Sequence, residues 1–292
     1  IIKSIKMPFL DFVKTFKEHP EDIIRNIFLR IPKQKSQEKY VFVVGAPRSG
    51  TTLLKNILCA HPQLAGTKYE STTLFNFTNI LRKQKFFKSE GLDSKKIDQI
   101  INQSKDIIEI FDLIAIEYIS RSNATMFVEK INSMTLNRIK FVRTYFPNSK
   151  IIHIVRDGRD CYCSARNHPY VFQGNSLTRY AKYWKKCVNS RLQINDDNVF
   201  DIKYENFVNA PNDSLKEIMK FINFSFDPIQ IDPKNYGNTK LKKQKSHQRL
   251  AQVISNSSQG RWQAELTNEQ IKEFEKIAGK ELKHFGYKVF YQ

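Results

Sequence analysis

The apolar positions change rhythm several times along the chain. From residue 9 to 31 they recur at helical spacing: Phe9, Leu10, Phe12, Val13 and Phe16, then Ile23, Ile24, Ile27 and Phe28. His19-Pro20 breaks this stretch in two, because proline lacks a backbone donor and restricts the residue before it. Lys33 to Lys39 is a polar linker. The period then shortens. Tyr40-Val41-Phe42-Val43-Val44 is an unbroken, β-branched run, as expected of a strand covered on both faces. Gly45 to Gly50 reads as a loop, Thr51 to Ala60 as a helix, and residues 72–120 as helices joined by loops. Phe127-Val128 is a short strand, Met134 to Tyr145 a helix stopped by Pro147, and Ile151 to Val155 a second buried strand. Helices follow at Arg159 to Ala165 and Leu177 to Leu192, then a strand at Val199 to Lys203 and a helix at Leu215 to Ile222. Residues 225–260 are rich in Lys, Asn, Gln and Ser and read as a long loop, a length uncommon in compact domains unless the loop works. Asn268 to Phe285 is a terminal helix with Thr267 as its N-cap.

Strands alternating with helices predict an α/β fold, with a parallel sheet flanked by helices on both faces. One such domain over residues 38–292, preceded by an N-terminal helical extension over 1–37, accounts for the 292-residue chain.

The sharpest local signal is Gly45-Ala46-Pro47-Arg48-Ser49-Gly50-Thr51-Thr52, set between a buried strand and a helix. That order aims backbone N–H groups and a helix N-terminus at a phosphate, so the fold is P-loop-like. A nucleotide phosphate loop carries lysine after its second glycine, where it reaches the β- and γ-phosphates. Here that position is Thr51, and Arg48 inside the loop supplies the charge. The cradle suits a donor with one 5′-phosphate bearing a small anionic group. The second signal is Val155-Arg156-Asp157-Gly158-Arg159, followed by Ser164. A basic residue at the carboxyl end of a strand lies where α/β sheets bind ligands. Ser164 follows Arg156 by about two helical turns, so the two could grip a second phosphate together. Alternatively Arg156 and Asp157 form a structural pair that caps the next helix.

Together these motifs resemble the PAPS-dependent sulfotransferases, which use 3′-phosphoadenosine 5′-phosphosulfate (PAPS). The first looks like their 5′-phosphosulfate loop and the second like their 3′-phosphate motif. The resemblance is closest to the branch with the tyrosylprotein and many bacterial enzymes, and runs from about Tyr40 to Tyr287. Ala60-His61-Pro62, Glu129-Lys130, Phe146-Pro147, Lys203-Tyr204-Glu205 and Gly260-Arg261-Trp262 fall in the family's order. The resemblance implies transfer of a sulfuryl group to an acceptor hydroxyl, leaving adenosine 3′,5′-bisphosphate. It also implies roles. Glu70 would be the general base, and Lys130 and Ser246 would steady charge on the bridging oxygen. Arg48, Ser49, Gly50, Thr51 and Thr52 would hold the 5′-phosphosulfate. Arg156, Ser164 and Arg261 would hold the 3′-phosphate, and Tyr204 would lie near the adenine. Two departures stand out. The stretch to Glu70 is one residue longer than in the tyrosylprotein enzymes, and His168 stands where they carry a further arginine, for which Arg166 could compensate.

Composition adds limits. The balance of 48 Lys+Arg against 29 Asp+Glu gives +19, which favours anionic ligands through the long-range field. The excess is spread along the chain, so a Lys-rich background accounts for most of it. The four cysteines show no zinc spacing, and no metal is expected. His153, alternating with isoleucines, reads as a core histidine, and Trp184 and Tyr183 read as core. No run of eighteen apolar residues and no signal peptide is present. The default location is therefore cytoplasmic. The chain opens at Ile1, and an upstream anchor, had one been removed, would allow membrane association and a Golgi lumen location. The expected partner is a hydroxyl-bearing acceptor, acidic or not (tyrosine, carbohydrate or lipid headgroup), with no nucleic acid, and a homodimer stays open. The rival readings are a P-loop-type kinase, against which Thr51 argues, and a non-catalytic polyanion-binding protein, against which Glu70 and Lys130 argue.

Overall fold

The computed structural model describes residues 19–68, 84–131, 136–236 and 253–291, together with 17, 74 and 80–82. Five strands form one sheet: β1 (Tyr40–Val44), β2 (Leu64–Gly66), β3 (Met126–Lys130), β4 (Lys150–Val155) and β5 (Val199–Lys203). Their order is β2-β3-β1-β4-β5, and every described pairing is parallel. The predicted α/β sheet is therefore present. β1 is central because all five of its residues are apolar and all are buried. Tyr40, Phe42 and Val44 point to one face, where Phe111, Phe127 and Phe146 meet them. Val41 and Val43 point to the other, against Leu54, Ile57, Ile152 and Ile154. Side chains alternate along a strand, so a wholly apolar strand must be covered on both sides. Full burial of a side chain such as Phe42 contributes about 1.5–3 kcal/mol.

Helices supply the two covers. On the Val41 face lie α2 (Thr51–Leu58), α9 (Tyr204–Asn209) and α10 (Pro211–Phe221). On the Phe42 face lie α5 (Ile107–Ser122), α6 (Leu136–Tyr145), α7 (Gly158–Ala165), α8 (Leu177–Leu192) and α13 (Asn268–His284). Completing the order, α1 (Asp22–Leu29) precedes the sheet, α3 (Gln84–Ser89) and α4 (Ser94–Gln103) precede α5, and α11 (Pro233–Tyr236) and α12 (Trp262–Glu265) flank residues 237–252, which lie outside the described part. Thr267 caps α13 as predicted, within a capping box closed by Gln270. The predicted first half of the N-terminal helix lies outside the described residues, and the second half is α1.

Several elements differ from the pattern-based expectation. β2 has three residues, too few to show a period. α10 begins at Pro211 rather than Leu215, because proline is pre-shaped for the first helical position and the turn Pro211 to Ser214 needs no apolar pattern. The expected loop 225–260 holds a short 3₁₀ turn at Pro228–Ile231 and then α11.

Chain order sets the site. From β1 the chain goes to β2 and β3 on one side, then to β4 and β5 on the other. The reversal falls at β1, and ligands of open α/β sheets bind at the carboxyl ends of strands at such a switch point.

Candidate active site

The loop after β1 leaves the sheet between the carboxyl ends of β3 and β4. Gly45 has no room for a side chain, since a Cβ would stand 2.5 Å from the Ile154 carbonyl oxygen. Arg48 and Gly50 take positive φ angles of 72° and 101° and turn the chain twice. The loop carbonyls are tied back. The Ser49 hydroxyl donates to Ala46 O at 2.7 Å, and Tyr180 donates its phenolic hydrogen to Pro47 O at 2.5 Å. The first cap bond of α2 runs from Leu54 N–H to Gly50 O. The amides of Thr51, Thr52 and Leu53 thus have no acceptor within the helix, the usual state of a helix start and a ready site for an anion.

Both flanking strands deliver a buried cation to this loop. Lys130 ends β3, is 7% exposed, and donates from Nζ to Thr52 Oγ1 at 3.1 Å. Arg156 follows β4 and is 5% exposed. It donates from Nη1 to Arg48 O at 3.3 Å and from Nη2 to Ser258 O. Its Nε is buried without a hydrogen-bond partner, a donor that an anion would satisfy. Arg48 in turn donates from Nε to Ser164 Oγ at 3.1 Å. The two sequence motifs, more than a hundred residues apart, therefore meet through Arg48.

Tyr204 opens α9 and is largely buried. The Arg156 guanidinium lies 4.5 Å from its ring centroid, and a Cβ on Gly50 would come within 2.7 Å of its Cδ2. The ring packs beneath the loop, which explains why glycine stands at 50.

Arg156 and Asp157 do not pair with each other; each does a separate job. Asp157 caps α7 by accepting from the Arg159 amide at 2.9 Å, and its two oxygens take Arg159 Nε and Nη2 at 3.0 and 2.7 Å. Arg159 is 1% exposed and also donates to Glu275 at 2.5 Å, while its guanidinium covers the Trp262 ring at 3.7 Å. The Asp157 amide donates to Glu205 Oε1 at 3.1 Å, and Tyr287 donates to the other oxygen of Glu205 at 2.9 Å. Trp184, fully buried, donates to Arg156 O at 3.1 Å. The backbone carrying Arg156 is thereby fixed from three elements.

The segment 258–262 closes over this arrangement. Asp160 accepts the amides of Gly260 and Trp262 at 2.7 and 3.0 Å, and burial pushes its carboxyl up against the pull of Arg156. These two bonds bracket Arg261. Its Nε donates to Glu265 Oε1 at 2.5 Å, and Arg166 Nη2 donates to Glu265 Oε2 at 2.6 Å.

Glu70 and Ser246 lie outside the described residues. The described chain before Glu70 ends at Lys68, whose amide donates to Glu90 Oε2 at 2.7 Å; the carbonyl of Thr67 accepts from the buried Lys55 of α2. His153 is a core residue, and its Nδ1 lies 2.6 Å from Asp201 Oδ1. His168 accepts the Tyr170 amide at 3.2 Å. Asp160, Tyr180, Glu205 and Glu265 escaped the sequence reading. Most of their hydrogen-bond partners are distant in the chain; the local signals were Glu205 inside Lys203-Tyr204-Glu205 and the i,i+4 spacings of Arg156 to Asp160 and Arg261 to Glu265.

A sulfotransferase family profile matches residues 41–228. Chicken protein-tyrosine sulfotransferase 2 is 23% identical over 251 residues, covering 82% of this chain and 67% of its own length. The match spans between about a third and two thirds of the length of the curated relatives. The sulfotransferase domain of the Synechococcus PCC 7002 olefin synthase superposes with a TM-score of 0.60 at 20% identity, covering 85% of this chain and 97% of that domain. A mouse sulfotransferase solved in complex with PAP superposes with a TM-score of 0.52 at 18% identity, over 88% of this chain and 89% of its own. The profile spans the phosphate loop, both cation-bearing strand ends and the sheet that joins them, and so the chain belongs to the sulfotransferase family.

Proposed function

We propose that this chain transfers a sulfuryl group from PAPS to the hydroxyl of an acceptor and releases adenosine 3′,5′-bisphosphate. The observation that carries the reading is the meeting of two cationic stations on either side of the loop after β1, at the ends of its two neighbouring strands, β3 and β4. Lys130, Arg48 and the α2 amides surround the loop, while Arg156 and Ser164 stand beside it, joined through Arg48. A nucleotide with two separate phosphates needs two such stations. A triphosphate needs a loop lysine, where this chain has Thr51. The orphan Nε of Arg156 suits the 3′-phosphate.

Transfer needs an in-line approach and neutralised charge more than covalent chemistry from the protein. The acceptor oxygen forms a bond to sulfur as the bond from sulfur to the 5′-phosphate oxygen breaks, and the electron pair leaves on that oxygen. Glu70 takes the acceptor proton. Lys130 holds the charge that gathers on the released oxygen, with Ser246 in a similar role. Arg48 to Thr52 hold the 5′ end; Arg156, Ser164 and Arg261 hold the 3′-phosphate. The names of the relatives make a tyrosyl hydroxyl the first acceptor to test, before carbohydrate and lipid headgroups.

The test is a thermal shift. A ligand that binds the native state alone raises its melting temperature. Adenosine 3′,5′-bisphosphate should do so strongly and ATP much less. Equal stabilisation by both would refute two separate phosphate stations. Radiolabelled PAPS with pooled acceptors then identifies the acceptor class.

A further inference from the structure

Arg261 is built into the fold with more care than a surface arginine needs. Its neighbours Gly260 and Trp262 give their amides to one carboxylate, Asp160, so the backbone on both sides is fixed. Its side chain remains 28% exposed and is held at a single edge, Nε to Glu265 Oε1 at 2.5 Å. That grip leaves the two terminal nitrogens, a parallel pair suited to two oxygens of one phosphate. The other oxygen of Glu265 takes Arg166 Nη2 at 2.6 Å, and Arg166 Nη1 donates to the Glu265 carbonyl at 3.2 Å. Arg166 therefore steadies Glu265 from both its side chain and its backbone. The Arg261 guanidinium holds the Glu265 carboxyl below the usual carboxylate range, so it is ionised at neutral pH. One carboxylate between two guanidiniums leaves a net positive charge, which still attracts a phosphate.

We propose that Glu265 is a positioning residue: it holds Arg261 by its Nε edge, with Arg166 as its brace, and so presents the terminal nitrogens of Arg261 to the 3′-phosphate. The proposal rests on the reading of Arg261 as a 3′-phosphate ligand. A long arginine released from this grip samples many rotamers, and binding must then order it. The cost falls on ligands with a 3′-phosphate and on no others.

The experiment titrates the full chain calorimetrically with adenosine 3′,5′-bisphosphate and with adenosine 5′-monophosphate, which lacks the 3′ group. The proteins are wild type, Glu265→Gln, Arg261→Ala and the double variant, with melting temperature read alongside. Glu265→Gln should weaken the bisphosphate about tenfold, equivalent to about 1.4 kcal/mol, and leave the monophosphate unchanged. In the Arg261→Ala background the same change should have no further effect, since its only route is gone. A brace of the general fold would weaken both nucleotides alike, or would act equally in both backgrounds; either result overturns the proposal. If Arg261→Ala itself spares bisphosphate binding, the underlying assignment of Arg261 fails. If Arg261→Ala weakens it and Glu265→Gln does not, that assignment stands and the role of Glu265 fails.

Discussion

Arg156→Ala tests whether the second cationic station binds ligand or only braces the loop. Both roles have a basis in the structure. As a brace, Arg156 donates to Arg48 O and Ser258 O and lies on the Tyr204 ring. As a ligand group, it has a buried Nε with no partner. A hydrogen bond to a charged group contributes about 1.5–3 kcal/mol, so loss of the 3′-phosphate contact should weaken the bisphosphate about 10- to 150-fold. The brace acts on the 5′ end only indirectly, through the bond to Arg48 O, which is long at 3.3 Å. A neutral bond of that kind contributes about 1 kcal/mol, so adenosine 5′-phosphosulfate should weaken about fivefold or less. The ratio of the two losses is the diagnostic, measured by calorimetric titration of both nucleotides against wild type and variant. Arg156→Lys sharpens it. A single ammonium keeps the charge but cannot fork between two carbonyls and a phosphate, so it should fall between wild type and alanine. If both nucleotides weaken by the same factor, Arg156 is a brace alone and the 3′-phosphate is held elsewhere.

Three further outcomes are expected. Glu70→Gln should lower turnover about 10²–10⁴-fold with bisphosphate affinity and melting temperature unchanged, more for a sugar hydroxyl than for an acidic phenol, and Lys130→Ala should lower it about 10²–10³-fold with either acceptor; steady-state turnover beside nucleotide affinity checks both, and near-normal turnover removes the residue from its role. Burial pushes the Asp112 carboxyl up to about 6, although Tyr40 and Ser36 donate to it at 2.7 and 2.8 Å. The native state then keeps a proton between about pH 4 and pH 6 that the unfolded chain has released, so the wild type loses stability as pH rises through that window. Asp112→Asn carries no charge to desolvate. Its advantage in melting temperature should open across pH 4–6 and persist at pH 7, at about 1–2 kcal/mol, discounted because Asp112 is only partly buried; a gap that does not change with pH refutes it.

What could be read from the sequence depended on how local the cause was. β1 and β4 were legible because a strand buried on both faces is mostly apolar, an argument that needs nothing distant; only His153, whose partner Asp201 lies on the neighbouring strand, interrupts the buried run of β4. β2 was not, because three residues cannot display a period. The 3₁₀ turn at Pro228–Ile231 had a signal, since Asp227 and Gln230 form a capping box, but the polar composition around it hid the turn. Within the site, the phosphate loop is a local object, with Gly45 and Gly50 required by close neighbours that the strand–loop–helix order already implies. The roles given to Glu70 and Ser246 came from the family resemblance alone, and both residues lie outside the described part.

Arg156 and Arg159 show where local reading stops. They stand three residues apart in one motif and look interchangeable as text. Arg159 is neutralised by two carboxylates, Asp157 beside it and Glu275 from the terminal helix 116 positions away. Its charge is consumed in joining α7 to α13. Arg156 is held by two carbonyls, and the carboxylate within ion-pair range, Asp160 at 3.9 Å, already gives an oxygen to each of two backbone amides. Burial works against its charge, but nearby groups, the Asp160 and Glu205 carboxylates among them, outweigh that and hold it cationic; what stays unmet is its buried Nε donor. A buried donor without an acceptor is costly, and an anionic ligand would satisfy it. The difference between the two arginines is written in Glu275, Ser258 and Asp160, and so it becomes visible only once the terminal helix has packed against α8 and the segment 258–262 has closed over the loop.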